Sequence, residues 1–169
     1  MMFSKINIGR IIRDHLDTLR DDATGQRMIS DYILFFGLPL VSSGLLLFGL
    51  SLPIDQGAVG ILVTSLSVFA ALLFNLLLLI YDIVRKAEGQ NASLKEKFLG
   101  QIYANISFAI LVSILSIIVL LAAYFDLEGR FFLSAASFTA YYLVSLFILT
   151  LFMILKRVHI LLSREFEDR

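Results

Sequence analysis

The side chains of this 169-residue chain that could do chemistry are polar groups set inside long apolar runs. Lipid offers no hydrogen bonds, so a polar group at that depth needs a partner and often marks a functional position. Hydroxyl groups lie near the middle of these runs. They belong to Ser42, Ser43, Ser65, Ser67, Ser113, Ser116, Tyr141 and Tyr142. Two interpretations stay open: helix packing, with the hydroxyls bonded to carbonyls or across helices, or a polar layer lining a pore formed by several subunits.

Two amides and one carboxylate lie closer to one end of the runs. Asn75 and Asn105 fall in the same half of consecutive runs, and an amide needs partners for both its donors and its acceptor. A structural clasp between helices would supply them, and the alternative is a gate or a substrate contact. Asp82 lies near a predicted helix C-terminus, where the helix dipole disfavours an anion. We therefore expect it to pair with Arg85, Lys86 or an N-terminal arginine.

Catalysis and metal binding have little support in the residue pattern. The chain has no Cys, and its two histidines, His15 and His159, lie on separate charged segments without metal-ligand spacing. No Gly-rich phosphate loop follows a predicted strand. Apart from Asp82, the apolar runs contain no acidic or basic side chain of the kind that proton-coupled transport needs. The sequence predicts neither an enzyme nor a cofactor or metal site.

Four apolar runs position these groups: Tyr32–Leu52, Ala58–Ile83, Ile102–Tyr124 and Phe131–Leu155. Each reaches the roughly 20 residues that a helix needs to cross a hydrocarbon core about 30 Å thick. Hydrophobic residues make up 59% of the chain, well above the usual share in soluble proteins. The sequence therefore predicts an all-α polytopic membrane protein. Its four transmembrane helices would form an up-down-up-down bundle in which consecutive spans are antiparallel neighbours.

The basic residues are distributed on one side of this arrangement. Of the fourteen Lys and Arg residues, all except Arg130 fall in three segments, 1–30, 84–101 and 156–169. By the positive-inside rule, both termini and the connection 84–101 are predicted to be cytoplasmic, with the membrane domain over 31–155. The net charge is zero, so no direct nucleic-acid binding is expected.

The N-terminal segment has the pattern of an amphipathic helix. Apolar residues recur every three or four positions at Ile8, Ile12, Leu16 and Leu19, with charged residues between them. One interpretation is that this helix lies on the membrane or packs under the bundle, and the other is that it docks another protein or subunit. Candidate docking residues are the basic side chains on the predicted cytoplasmic side. They are Arg10, Arg13, Arg20, Arg27, Arg85, Lys86, Lys95, Lys97 and Arg157.

Local signals predict the shape of several helices. Phe35–Pro39 contains a glycine and a proline inside the first run, which should kink or loosen that helix. Ser93–Glu96 has the spacing of a capping box and should start a helix that continues unbroken into the third run. Small residues at helical spacing, such as Ala109 and Ser113, permit close helix contact and oligomerisation.

The whole plan resembles a known group of proteins. A charged amphipathic N-terminus leads into Asp31–Pro39, four spans follow with short outer turns, and the chain ends in a basic inner tail. This resembles the small four-span membrane proteins of bacterial antiphage defence systems, such as the membrane subunit of the Kiwa system. The resemblance implies a homo-oligomer of the bacterial inner membrane that senses envelope disturbance or depolarises the membrane together with a cytoplasmic partner.

The leading hypothesis is thus an oligomeric membrane sensor or scaffold subunit that recruits a cytoplasmic protein through its inner-face segments. The alternative is a pore- or channel-forming effector that depolarises the membrane. A passive assembly factor for another membrane complex is a third possibility. Most of the surface outside the bilayer lies on the predicted inner side, which favours the first hypothesis.

Overall fold

A computed structural model describes residues 7–19, 29–86, 92–125 and 130–167. Every regular element over these ranges is helical. The fold is therefore all-α, as the sequence predicts.

Three long helices form the body of the protein. They are α4 (Gln56–Lys86), α5 (Ala92–Phe125) and α6 (Arg130–Glu167). Each contains an apolar stretch of 28 to 30 residues, longer than the roughly 20 needed to cross a bilayer. These three helices mark the chain as a multi-pass membrane protein.

The first apolar run forms one continuous but irregular helix over residues 29–49, called here the first helix. It begins as α2 (Ile29–Tyr32), passes through a π-helical segment (Ile33–Gly37), returns to α-helix in α3 (Leu38–Gly44) and ends in a second π segment (Leu45–Gly49). Its apolar part covers 17 residues and is shorter than the stretches in α4, α5 and α6.

Proline chemistry accounts for the first irregularity of this helix. Pro39 has no N–H to donate to a preceding carbonyl, and the π segment ends two residues before it. The predicted loosening near Phe35–Pro39 is thereby confirmed. The second π segment, which ends at Gly49, was not predicted from the sequence.

The connection after the first helix is tightly hydrogen-bonded. Ser51 takes a positive φ of 52°, which lets the Leu52 N–H donate back to the Leu46 carbonyl oxygen at 3.1 Å. This is a wide version of the turn that commonly ends helices. Asp55 then caps α4, because its Oδ1 accepts from the Ala58 N–H at 2.6 Å. The connection therefore lies at 50–55, slightly before the turn that the sequence predicts at 53–57.

The order of the helices in space differs from their order along the chain. Helices α5 and α6 lie together at the centre, α4 packs against α5, and the first helix packs against α6. Among the described residues, no Cα of α4 lies within 8 Å of a Cα of the first helix. The prediction that consecutive spans are neighbours is right for α4 with α5 and for α5 with α6, and wrong for the first pair.

Two hydrogen bonds explain why the first helix lies beside α6. Ser137 on α6 accepts from the Ile54 N–H at 3.1 Å, and the Tyr141 hydroxyl donates to the Leu52 carbonyl oxygen at 3.1 Å. The Ile54 N–H and the Leu52 carbonyl oxygen thus both find hydrogen-bond partners on α6. These two bonds hold the end of the first helix beside α6.

Helices α5 and α6 extend beyond their apolar stretches. As predicted, α5 runs unbroken from the connection into its apolar stretch, which begins at Phe98. Its first residue is Ala92, just before the predicted cap at Ser93. Helix α6 continues past Leu155 as far as Glu167, so much of the predicted tail is helical. The amphipathic N-terminal helix is also present as α1 (Ile8–Asp17), and it packs against α5.

Candidate functional site

The buried face of α1 is the first component of the candidate site. His15 is fully buried, and Leu19 just after the helix is 6% exposed. Ile8 and Ile12, on the predicted apolar face, are 42% and 40% exposed and are not covered by the rest of the described protein. At about 100° per residue, His15 lies only about 20° around the helix from Ile8. The face of α1 that contacts α5 therefore lies slightly closer to Ile11 than the predicted apolar face does. This places polar side chains of α1 against α5.

A three-residue hydrogen-bonded cluster joins α1 to α5. The Asn105 Oδ1 is 2.9 Å from the His15 Nδ1 and also accepts from the Thr18 hydroxyl at 2.8 Å. The same hydroxyl lies 2.7 Å from the His15 carbonyl oxygen. Since an amide oxygen only accepts, the His15 proton must be on Nδ1. We call this cluster, His15, Thr18 and Asn105, the clasp.

Two atoms of the clasp are buried without a hydrogen-bond partner among the described residues. They are the His15 Nε2 and the Asn105 Nδ2. In the neutral ring with its proton on Nδ1, Nε2 is an acceptor, whereas Nδ2 is a donor. Unpaired buried polar groups are costly, so the bonds that the clasp does form must outweigh them.

Aromatic rings enclose the imidazole of the clasp. His15 stacks on Phe108 with ring centroids 3.8 Å apart and planes 1° from parallel, and Phe35 lies 5.0 Å away. Burial is the main cause that lowers the pKa of His15 from its usual 6.5 to about 4; the Asn105 hydrogen bond opposes the shift, and the nearby Arg157 cation adds to it. His15 is therefore neutral at pH 7.

Groups from two other helices hold the C-terminal turn of α1. Arg157 on α6 donates to the Thr18 carbonyl oxygen at 2.6 Å and to the Gln101 amide oxygen. The Tyr32 hydroxyl of the first helix donates to the Leu16 carbonyl oxygen at 2.9 Å. A cation at a helix C-terminus is favourable because the carbonyls there carry partial negative charge. Arg157, predicted as a partner-docking residue, thus engages its own chain.

A cavity of about 430 Å³ lies beside the clasp, between the end of α1, the first helix, α5 and α6. Its wall is mostly apolar, with polar groups contributed by α1, α5 and α6. The lining residues are Thr18, Leu19, Leu34, Phe35, Phe98, Gln101, Leu149, Phe152, Met153, Lys156, Arg157 and Ile160.

The predicted amide pair does not come together as a unit. Asn105 is buried and forms its clasp with α1, whereas Asn75 is exposed on α4. Asp82 is likewise exposed on α4, where the helix turns it away from the protein interior. Of the two predicted amides, Asn105 alone belongs to the candidate site.

The hydroxyl groups inside the apolar runs bond mostly to nearby backbone. Ser43 donates to the Pro39 carbonyl oxygen at 2.7 Å, Ser113 to the Ile110 carbonyl oxygen at 2.8 Å, and the exposed Ser67 to a carbonyl one turn earlier. Hydrogen bonds to carbonyl oxygens of the same helix are what we expected if these hydroxyl groups serve helix packing.

The two adjacent tyrosines of α6 have different surroundings. Tyr141 reaches the connection after the first helix through the hydrogen bond described above. Tyr142 is half-buried and packs against the core. The Tyr141 hydroxyl is therefore bonded within the same chain, as the packing interpretation expects.

The predicted docking residues are only partly described. Arg10, Arg13 and Arg85 are exposed, and Arg10 forms a surface ion pair with Asp14 at 3.7 Å. The remaining candidates lie outside the described residues or have side chains outside them. They are Arg20, Arg27, Lys86, Lys95 and Lys97.

Sequence reasoning missed His15, Thr18 and Gln101 as members of the site. A signal for His15 was present, because it lies in the middle of the apolar arc of α1, where a polar residue requires a buried partner. Its partner on α5 is 90 positions away, so sequence spacing does not connect them.

The described residues contain no group of three or more His, Asp or Glu side chains placed to hold a metal ion. Comparison of the chain with protein-family models, curated proteins and solved structures gave no match.

Proposed function

We propose that this protein is a membrane-embedded scaffold or sensor subunit that presents α1 to a cytoplasmic partner. The observation that supports this most is the clasp. A short amphipathic helix on a membrane protein is free to lie in the lipid interface, but here His15 and Thr18 fix α1 on α5 with its charged side outward. A helix held in this way offers a fixed surface for recognition.

The outward face of α1 is suited to protein contact. It carries the exposed side chains of Arg10, Arg13 and Asp14, whereas Ile8 and Ile12, although 42% and 40% exposed, lie towards the side of the helix that faces α5. Charges of both signs on one fixed face can pair with complementary charges on a partner. A surface made for anionic lipid would carry basic charge with few acidic groups.

The membrane arrangement that goes with this proposal has four spans, with the first helix as the shortest. The clasp, the N-terminal half of α5 and the C-terminal half of α6 lie at one end of the protein, and the segments there hold nearly all the basic residues. The positive-inside rule assigns that end to the cytoplasm. We propose that it is a homo-oligomer of a bacterial inner membrane, as the resemblance to four-span defence proteins implies; the exposed apolar face of α4 is available to lipid or to another copy.

The depolarising pore has less support. A pore lining needs polar side chains directed at a lumen, whereas Ser43 and Ser113 donate to carbonyl oxygens of their own helices. Conductance in planar bilayers would be the observation in its favour.

Site-specific photocrosslinking tests the scaffold proposal. A photoreactive amino acid at Arg13 should give a discrete adduct with one cytoplasmic protein in host cells, and mass spectrometry should identify it. The same label at Leu72, exposed on α4, serves as the matched control and should give no such adduct. Asn105→Leu should weaken the Arg13 adduct while membrane insertion stays normal.

Two results would contradict the proposal. One is labelling of lipid alone from position 13. The other is an undiminished Arg13 adduct in the Asn105→Leu variant, which would show that recruitment does not need a fixed α1.

A further inference from the structure

The outward side of α4 carries an amide at membrane depth. Asn75 is exposed, and no hydrogen bond joins its side chain to another described residue. It lies about 8 Å from the centre of the apolar stretch 56–83, at a rise of about 1.5 Å per residue. The hydrocarbon core extends only about 15 Å to each side of its centre, so with α4 centred in the bilayer this amide lies among acyl chains.

The exposed hydroxyl groups of α4 are satisfied within the helix, unlike this amide. Thr64 donates to the Gly60 carbonyl oxygen at 2.8 Å. Ser67 donates to the Val63 carbonyl oxygen at 2.7 Å. Lipid offers Asn75 neither a donor nor an acceptor, and its side chain is too short to reach the headgroups as Lys and Arg do. A second polypeptide can supply both.

Asn75 belongs to a line of exposed residues opposite the side of α4 that packs on α5. The buried residues of α4 recur every seven positions, at Val59, Leu66, Leu73 and Ile80. At about 100° per residue, Asn75 lies about 160° around the helix from Leu73. Residues spaced alternately by three and four positions from Asn75 share its side, and all of them are exposed. With Asn75 they form what we call the α4 seam: Thr64, Val68, Ala71, Leu78, Asp82 and Arg85. This spacing is that of a coiled-coil contact.

The charged end of the α4 seam is complementary to itself. Asp82 and Arg85 are exposed, and neither forms an ion pair with a described residue. They lie about 60° apart around the helix and about 4.5 Å apart along it. A two-fold axis along the membrane normal therefore brings the Asp82 side of one copy against the Arg85 side of the other, and the same pair forms twice.

We propose that two copies of this chain associate in parallel through the α4 seam, with the two Asn75 amides hydrogen-bonded to each other and Asp82 of each copy paired with Arg85 of the other. Copies inserted in the same orientation place identical residues at the same depth, and an amide both donates and accepts, so two amides satisfy each other. A single asparagine in such a contact fixes the register and the number of helices.

A second copy explains these residues better than lipid does. Apolar side chains gain little by exchanging lipid for another helix, so polar contacts decide which helices associate in a membrane. The proposal rests on the homo-oligomer of the proposed function and specifies the surface that forms it. Among the described residues, no Cα of α1 lies within 8 Å of a Cα of α4, so this contact does not use the docking surface of α1.

Cysteine crosslinking in native membranes tests the contact. The chain has no Cys, so a single introduced cysteine reports on one position. Ala71→Cys, one turn before Asn75 on the α4 seam, should give a disulfide-linked dimer under mild oxidation with copper phenanthroline. Leu72→Cys is the matched control, because it is exposed on α4 but lies about 100° around the helix from Ala71. Equal crosslinking at the two positions, or none at Ala71→Cys, would overturn the proposal.

Energy transfer between donor- and acceptor-labelled copies in lipid vesicles measures the strength of association. Asn75→Leu should raise the dissociation constant of the dimer by about 3- to 30-fold, the range for hydrogen bonds between membrane helices. Asn75→Gln keeps the amide and should associate like the unmodified protein. An unchanged dissociation constant in Asn75→Leu, or the same loss in Asn75→Gln, would contradict the role of the amide.

Charge exchange tests the other half of the contact. Asp82→Lys should weaken association because two cations then face each other, and combining it with Arg85→Asp should restore it. A double variant as weak as Asp82→Lys alone would contradict the crossed ion pairs.

Failure of the α4 seam is distinguishable from failure of the proposed function. A protein that is oligomeric by size in detergent but does not crosslink at Ala71→Cys would overturn the α4 seam and leave the homo-oligomer. Crosslinking at Ala71→Cys without an Arg13 adduct would support the α4 seam and contradict partner docking.

Discussion

Replacing Asn105 with leucine should release α1 from the membrane domain. The substitution keeps a side chain of similar size but removes the oxygen that accepts from His15 at 2.9 Å and from Thr18 at 2.8 Å. The Thr18 hydroxyl can instead donate its hydrogen to the His15 carbonyl oxygen, which is 2.7 Å away. The imidazole Nδ1 is therefore the group left buried without a partner.

The expected size of the effect follows from this count. One buried donor left unpaired costs about 1–3 kcal/mol. The Asn105 Nδ2, itself without a partner among the described residues, is removed at the same time and offsets part of that cost. Without that offset, the docking equilibrium of α1 would weaken by about 5- to 150-fold, since 1.4 kcal/mol corresponds to a factor of ten, so this range is an upper bound.

Hydrogen exchange measured by mass spectrometry reads this equilibrium directly. In Asn105→Leu, the amides of α1 should exchange faster by the factor above, while amides in the centre of α5 should keep their protection. Asn75→Leu is the matched control, because it makes the same change at an exposed position on the neighbouring helix. Unchanged protection of α1 in Asn105→Leu, or the same loss in Asn75→Leu, would refute the reasoning.

Two other predictions concern proton binding and the connection after the first helix. Because burial lowers the pKa of His15 to about 4 from 6.5, protonation favours the undocked helix: docking is strongest above pH 6.5 and weakens by roughly 3 kcal/mol as the pH falls to 4. Hydrogen exchange of the α1 amides, corrected for intrinsic rates, should become faster over that range. A protection factor that does not change with pH would contradict this, as would the same pH profile in the non-titrating His15→Gln variant. Ser137→Ala should destabilise the protein by about 1–3 kcal/mol, since the Ile54 N–H loses its acceptor, whereas Ser67→Ala on the exposed side of α4 should change stability by less than about 0.5 kcal/mol. Thermal unfolding in detergent compares the two, and equal midpoints would count against the role of Ser137.

Features that depend on neighbouring residues were accessible from the sequence. Apolar runs of bilayer length predict the long helices α4, α5 and α6, because length and composition alone decide whether a helix can cross lipid. The loosened segment near Pro39 follows from a missing N–H. The helical character of α1 follows from the spacing of its apolar residues.

Features that depend on distant residues were not accessible in the same way. The apolar spacing of α1 does not fix its rotation, and the rotation is set by the bond between His15 and Asn105, 90 positions away. Consecutive spans were expected to pair because their connection is short. The first helix lies beside α6 instead, since the polar groups of the connection find their partners on Ser137 and Tyr141.

The first helix has a shorter apolar part than α4, α5 and α6. Its apolar part, Ile33–Gly49, covers 17 residues and spans at most about 26 Å, whereas the apolar stretches of α4, α5 and α6 would extend about 42–45 Å. A hydrocarbon core of about 30 Å is too thick for the first and too thin for the others. In the proposed four-span arrangement, the bilayer would therefore thin beside the first helix and thicken beside the others, unless the long helices tilt. Among the described residues, the backbone of α4 lies close to that of α5 alone, so α4 is the helix most able to tilt and its inclination should follow the thickness of the host membrane.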